Sequence, residues 1–124
     1  MAKRANAEQK KWLSDVAEWA QDNLHVLYGE AYRGYNSIQL HHVTGRASKH
    51  NKVEVGHWYI LAIPKELHDV MSNHSLNVTH RKKAFTAKYG MQKDLFGKMV
   101  NSMGLQGYAI PSDDVFWAIL STNE

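Results

Sequence analysis

Apolar side chains recur at three- and four-residue spacing in residues 6–24, where Trp12, Val16, Trp19 and Leu24 are separated by polar positions. This period predicts an amphipathic helix whose apolar side faces a core. Asn6 and Gln9 have the spacing of a capping box, which marks the start of a helix. The period is lost in LYGEAYRGYNS, so we expect a connecting loop over residues 27–37.

Two short apolar runs separated by a polar loop predict a β-hairpin with a long connection. The first strand is expected over residues 38–43 and the second over HWYILAI, residues 57–63, with the loop GRASKHNKVEVG between them. Pro64 cannot donate to a strand ladder, so we expect the second strand to stop there. Proline suits a first helical turn, so KELHDVMS, residues 65–72, is expected to form a short helix carrying His68.

Three further helices are predicted after a polar bridge, over residues 78–90, 92–103 and 112–120. His80 would share a face with Ala84 on the first of them. Trp58 and Trp117 lie in apolar runs, where burial is expected. The pattern predicts an α+β chain with one domain over residues 1–124, comprising an N-terminal helix (6–24), a central unit (about 38–90) and C-terminal helices (about 92–121).

The composition is that of an ordinary globular protein, with 44% hydrophobic and 22% charged residues. There is no cysteine, so a metal ion would need histidine and carboxylate ligands. Eight histidines stand out, because imidazole both ligates metals and transfers protons near neutral pH. The net charge of +3 suits a polyanionic partner. No apolar run reaches the length of a membrane span, so we expect a cytoplasmic protein with no membrane partner.

The doublet His41-His42 ends the first predicted strand. Adjacent strand residues point to opposite faces, so one imidazole could bind a metal together with the following helix while the other faces a substrate water. Strand, loop, strand and helix in this order form the outline of a ββα-metal unit.

The stretches LHHVTGR, VGHWYILAIPKELHD, LNVTHRKKAFTAKYG and MQKDLF, within residues 40–96, resemble HNH (His-Me finger) endonucleases, in particular the recombination-enhancement nucleases of temperate phages. The resemblance implies that His42 is the general base and His41 a metal ligand, with His68 and His80 as candidate ligands from the helical side. The position of the central asparagine of the motif would be taken by His57 or by Asn51.

This resemblance implies a DNA endonuclease of phage or prophage recombination that uses a divalent ion (Mg, Mn or Zn) in the cytoplasm of a bacterial host. A recombinase filament is an implied partner. Cationic side chains near the proposed base are expected to contact DNA phosphates without reading sequence. These are Arg46, Lys49, Lys52, Arg81 and Lys82, with Lys83 continuing the same surface.

Each assignment has an ordinary structural alternative. The doublet could be a hydrogen-bonded strand end, His68 could cap its helix or pair with Asp69, and His80 could lie at the edge of the core. The cations could form only a solvated face. Two other functions therefore stay open: a catalytically inactive DNA-binding accessory protein of recombination that keeps a structural metal, and a helical interaction module whose histidines are incidental.

Overall fold

The computed structural model describes residues 4–69, 71–72 and 74–123. Within these ranges the chain combines five α-helices with two small antiparallel sheets, which confirms the α+β class. None of the helices in the described ranges has both the length and the apolar character needed to cross a bilayer.

The first helix, α1, spans Ala7–Tyr28 and continues four residues beyond Leu24, where its apolar period predicts the end. The predicted capping box is confirmed, because Asn6 Oδ1 accepts from Gln9 N and Gln9 Oε1 accepts from Asn6 N, both at 2.9 Å. Its apolar stripe is buried, with Trp12 and Trp19 almost fully enclosed. The Trp12 indole donates to the carbonyl of Trp58 at 3.0 Å, which ties the helix to the segment before the second long strand.

The tyrosine-rich segment after α1 is packed against the fold. A short 3-10 helix, Glu30–Tyr32, follows Gly29. The rings of Tyr28, Tyr32 and Tyr35 stack edge to face at 6.1 and 5.3 Å, and Tyr89 meets Tyr28 at 5.3 Å. These tyrosines therefore serve packing, an arrangement that suits the quadrupoles of aromatic rings.

The main sheet pairs β1, Ile38–His42, with β4, Ile60–Pro64. The strands are antiparallel, with His41 opposite Leu61 and His42 opposite Ile60. Pro64 belongs to β4, contrary to the expectation that it would end the strand earlier. It occupies the last register position, where its missing N–H costs the sheet little. Every residue of β4 is buried, which makes this strand the centre of the core.

The loop between these strands contains a second small hairpin that the sequence pattern did not predict. Strands β2, Lys49–His50, and β3, Val53–Glu54, are joined by Asn51 and Lys52. Both turn residues have positive φ, 51° and 67°, as a two-residue hairpin turn of this hand requires. Asparagine accepts this conformation readily, whereas lysine is strained in it.

Four helices follow: α2 at Lys65–His68, α3 at Lys82–Tyr89, α4 at Gln92–Leu105 and α5 at Asp113–Leu120. Of the helix predicted over residues 65–72, the described residues after His68 are not helical, because Asp69 is extended and its carboxylate accepts from Met71 N instead. Val70, which this prediction also includes, lies outside the described residues. Trp117, predicted to be buried, is 62% exposed on α5, while Trp58 is partly buried against the core.

Gly56 closes the loop between β1 and β4 at a point where no side chain fits. Its N–H and that of Val55 donate to the carbonyl of Ser48, and an ideal Cβ on Gly56 would clash with the carbonyl oxygen of Arg46. We expect Gly56→Ala to lower the free energy of unfolding by about 1 to 3 kcal/mol or more, because the backbone must shift.

Urea denaturation measures this change. Gly97→Ala is the matched control, since Gly97 lies inside α4 and a Cβ there would meet only Leu120 of α5 among the described residues, at 3.7 Å. Alanine in a helix interior should raise the stability by up to about 1 kcal/mol. Equal stability of Gly56→Ala and the parent chain would contradict the close approach.

Candidate active site

His41 and His68 meet side by side where β1 faces α2. His41 Nδ1 lies 3.1 Å from His68 Nε2, and the ring centroids are 4.8 Å apart. Both side chains are partly buried. This contact joins the strand histidine to the helix histidine across 27 residues of sequence, as the ββα-metal hypothesis requires of a ligand pair.

Gln39 orients His68 from the other side of the ring. His68 Nδ1–H donates to Gln39 Oε1 at 2.5 Å, and because a carbonyl oxygen only accepts, Nδ1 must carry the proton. Burial lowers the pKa of His68, which the carboxylate of Asp69 opposes, so the neutral ring is favoured. The neutral ring with a proton on Nδ1 presents its lone pair at Nε2, toward His41.

This arrangement fits two protein ligands of a divalent ion. Two imidazole nitrogens that share Zn²⁺ at about 2.0 to 2.1 Å in a tetrahedral site lie about 3.3 to 3.4 Å apart. The observed separation of 3.1 Å is close to that value. A ligand histidine typically donates its other ring N–H to an oxygen acceptor, as His68 does to Gln39. The same separation also suits a hydrogen bond from His41 to His68.

His42 and His57 form a second pair on the opposite face of β1. His42 Nε2 lies 3.2 Å from His57 Nδ1, and the ring planes are inclined at 81°. His57 is 4% exposed and follows Gly56, so its position depends on the closed loop. The adjacent histidines therefore have different partners, as the alternation of strand side chains predicts.

His42 is the more accessible member of this pair, being partly buried. Burial lowers the pKa of His42, and the positive charges of His57, when protonated, and Arg46 lower it further. A neutral imidazole at physiological pH can accept a proton, which is the property that a general base needs.

His80 is not brought into the His41–His68 pair. Within the described residues, no three or more histidine or acidic side chains are grouped to hold a metal ion. His80 precedes α3, which begins at Lys82, so the expected shared face with Ala84 is wrong. The reason is Asn77, whose Oδ1 accepts from Thr79 N and His80 N and holds a turn instead of a helix.

Of the two candidates for the central motif position, His57 contacts the proposed base and Asn51 occupies the turn between β2 and β3.

The predicted DNA-contacting residues are all exposed: Arg46, Lys49, Lys52, Arg81 and Lys82. Arg46 lies near enough to His42 for its positive charge to lower the pKa of His42. Lys49 is opposite Glu54 in the β2–β3 ladder.

Sequence reasoning missed two residues that hold the site together. Gln39 could have been found from the period of a strand, because it lies two residues before His41 and so shares its face. Asn77 is fully buried and donates to the carbonyl of Asp69 at 2.9 Å, while Val78 N donates to Leu67 O. These bonds attach the segment leading to α3 directly to α2, which no local sequence signal indicates.

Comparison with known proteins found no matching family model, no matching curated protein and no matching solved structure.

Proposed function

We propose that this protein is a divalent-metal-dependent DNA endonuclease of the HNH type, with His42 as general base and a metal ion bound by His41 and His68. The observation that carries the proposal is the approach of His41 Nδ1 to His68 Nε2 at 3.1 Å, next to a second pair that contains His42. The same proposal includes a ββα-metal centre formed by β1, β4 and α2. It also includes a role in phage or prophage recombination and a recombinase partner.

The chemical division of work follows from the two faces of β1. His42 would accept the proton of the attacking water, and positioned general bases typically contribute about 10² to 10⁴ in rate. His57 would hold the His42 ring through the contact at 3.2 Å. Arg46, exposed and close to His42, would attract the scissile phosphate or its neighbour.

His41 and His68 would hold the ion, and Gln39 would keep the lone pair of His68 directed at it. Once bound, a divalent cation supplies positive charge that polarises the phosphate and stabilises the departing oxygen. Two imidazole ligands leave positions for water and phosphate, as the open site of a metal-dependent hydrolase requires. This ligand set is smaller than the set of three that includes His80.

Supercoiled plasmid DNA incubated with Mg²⁺, Mn²⁺ or Zn²⁺ tests the proposal, with EDTA as the metal-free control. We expect nicked or linear product in at least one metal and none in EDTA. Binding of DNA without cleavage in any of the three metals would contradict the enzyme and support the accessory protein. Binding of neither metal nor DNA would support the interaction module.

We expect cleavage to keep its rate on acidification past the ordinary imidazole pKa of about 6.5, because the pKa of His42 is lowered. Only neutral His42 accepts a proton, so the rate should fall tenfold per pH unit below the shifted pKa. A cation held by His41 would shift the pKa in the same direction. The rate under saturating DNA is measured against pH.

Arg46→Gln tests whether the fall in rate at low pH comes from His42. Removal of the Arg46 charge should raise the pKa of His42 and so move the acidic limb toward higher pH. Lys49→Gln is the control, since Lys49 contributes no shift to His42. An acidic limb that stays fixed in Arg46→Gln would contradict the assignment of that limb to His42.

A further inference from the structure

A groove of about 450 Å³ lies between α4 and α5, and none of the four paired histidines lines it. Its volume is within the usual range of binding pockets. Both helices and the connection between them contribute to its mostly apolar lining, which includes Gly104, Leu105, Ile110, Asp113, Phe116 and Trp117. The groove is therefore a binding surface separate from the histidine site.

Three of the five large apolar side chains that are exposed in the described residues lie along this groove. Leu105 is 82% exposed, Trp117 62% and Ile110 49%. Single exposed apolar residues are ordinary, but a cluster of them along one concave surface is typical of a contact with another protein. Tryptophan is also one of the residue types that most often dominate the binding energy of such contacts. The cluster favours a protein partner.

Trp117 lies at the surface because other residues of α5 occupy its core side. Ala118 and Ile119 are buried, and the ring of Phe116 packs at 6.2 Å from that of Phe96. The Trp117 ring meets Phe116 edge to face at 5.5 Å. This contact supports an exposed indole at the wall of the groove.

Asp113 supplies the only charged side chain that lines the groove in the described part of the chain. It precedes Trp117 by four residues on α5, and this spacing places both side chains on the same face of the helix. Asp113 and the adjacent Asp114 are exposed, and neither has an ion pair among the described residues. A carboxylate beside an exposed indole suits an arginine or lysine, whose cation pairs with the carboxylate and lies over the ring.

The connection between α4 and α5, which carries Ile110, is also close to negative charge. Tyr108 in this connection donates to Glu18 of α1 at 2.9 Å. That bond raises the pKa of Tyr108, and the charges of Asp15 and Asp22 add to the effect. Carboxylates on both sides disfavour DNA or an anionic lipid surface at the groove, although the whole chain has a net charge of +3.

We propose that this groove binds a cationic amphipathic segment of a partner protein. An apolar side chain of the segment would lie between Leu105 and Ile110, and an arginine or lysine would contact Trp117 and Asp113. The apolar walls match the apolar side of such a segment, and the carboxylates match its charge. An amphipathic helix binds an apolar groove in this way. The proposal does not depend on the endonuclease, because neither histidine pair lines the groove.

Fluorescence anisotropy with two labelled helical peptides of about 18 residues tests the groove. Both peptides have leucine at three- and four-residue spacing, and the flanking positions are arginine in one and glutamate in the other. The net charge of the protein by itself favours the glutamate peptide. We expect the arginine peptide to bind about tenfold more tightly, a preference that requires local negative charge.

Asp113→Asn should bring this ratio close to one. Asp114→Asn is the matched control, because Asp114 is in the same helical turn but does not line the groove, and it should keep the ratio. Trp117→Ala should weaken binding of the arginine peptide about tenfold. Met71→Ala, which removes an exposed apolar side chain elsewhere, should leave this binding unchanged. All four variants replace exposed side chains and should melt like the parent protein.

Equal binding of the two peptides by the parent protein, or an unchanged ratio in Asp113→Asn, would overturn the proposal. A parent protein that sediments as a dimer beside a monomeric Trp117→Ala would replace the partner with a second copy of this chain. Weaker binding of single-stranded DNA by Trp117→Ala would assign the indole to base stacking instead. The plasmid assay is independent of these results, so failure of the groove and failure of the endonuclease are distinguished.

Discussion

His42→Ala is expected to reduce the rate of metal-dependent plasmid cleavage by about 10² to 10⁴, the usual contribution of a positioned general base. The loss should appear at saturating DNA, because His42 acts on the attacking water and not on DNA affinity. His42 is partly buried and contacts His57, so the variant must be shown to melt like the parent protein. Initial nicking rates in the metal that supports cleavage measure the effect.

Two comparisons separate proton transfer from structural damage. His50→Ala is the matched control, since His50 lies on β2 within the same connection and its ladder contacts are made by the backbone. It should keep nearly the parent rate. Added imidazole should restore part of the activity of His42→Ala by occupying the vacated space. Full activity of His42→Ala without imidazole would exclude His42 as the base.

Alternation along one strand is enough to predict that His41 and His42 have different partners. The order of strand, loop, strand and helix is enough to predict that His41 and His68 lie near each other. Both predictions use short-range rules, period two in a strand and the return of an antiparallel hairpin. The separation of 3.1 Å between their ring nitrogens is a tertiary result, because it depends on where α2 packs.

The predicted ends of α2 and α3 are wrong where side chains compete with the backbone for hydrogen bonds. Asp69 ends α2 early and Asn77 delays α3, and each does so by accepting N–H groups that a helix would have used. The periodicity of apolar residues contains no information about such bonds. His80 was therefore predicted on a helix that begins two residues after it.

The contact between His42 and His57 is one that the sequence pattern could not predict. The two histidines are 15 residues apart, and the connection between them contains the β2–β3 hairpin and the close approach at Gly56. A loop of this length has many closed conformations of similar entropy. Which conformation forms depends on backbone contacts such as those of Ser48 with Val55 and Gly56. The sequence therefore offers only the position of His57 in the chain as a reason to place it near His42.

His68→Ala is expected to abolish both metal binding and cleavage, because it removes one of two protein ligands. Titration of the metal-free protein with Mn²⁺ or Zn²⁺ by calorimetry should show one ion per parent chain and an affinity at least 100-fold lower in the variant. The cleavage rate should fall by about 10³ or more, since a bound cation contributes several kcal/mol to stabilisation of the transition state.

Variants of Gln39 and His80 test whether the metal ion is bound by His41 and His68. Gln39→Ala should weaken metal binding by about 10- to 100-fold, the usual cost of losing the acceptor behind a ligand histidine, while Gln39→Glu should retain it because a carboxylate accepts the same bond. His80→Ala should bind the metal as the parent protein does, because His80 forms no ligand group with His41 and His68 in the described part of the chain. If His80→Ala loses the ion and Gln39→Ala keeps it, the two-histidine site is wrong and the ligands must be sought nearer the start of α3.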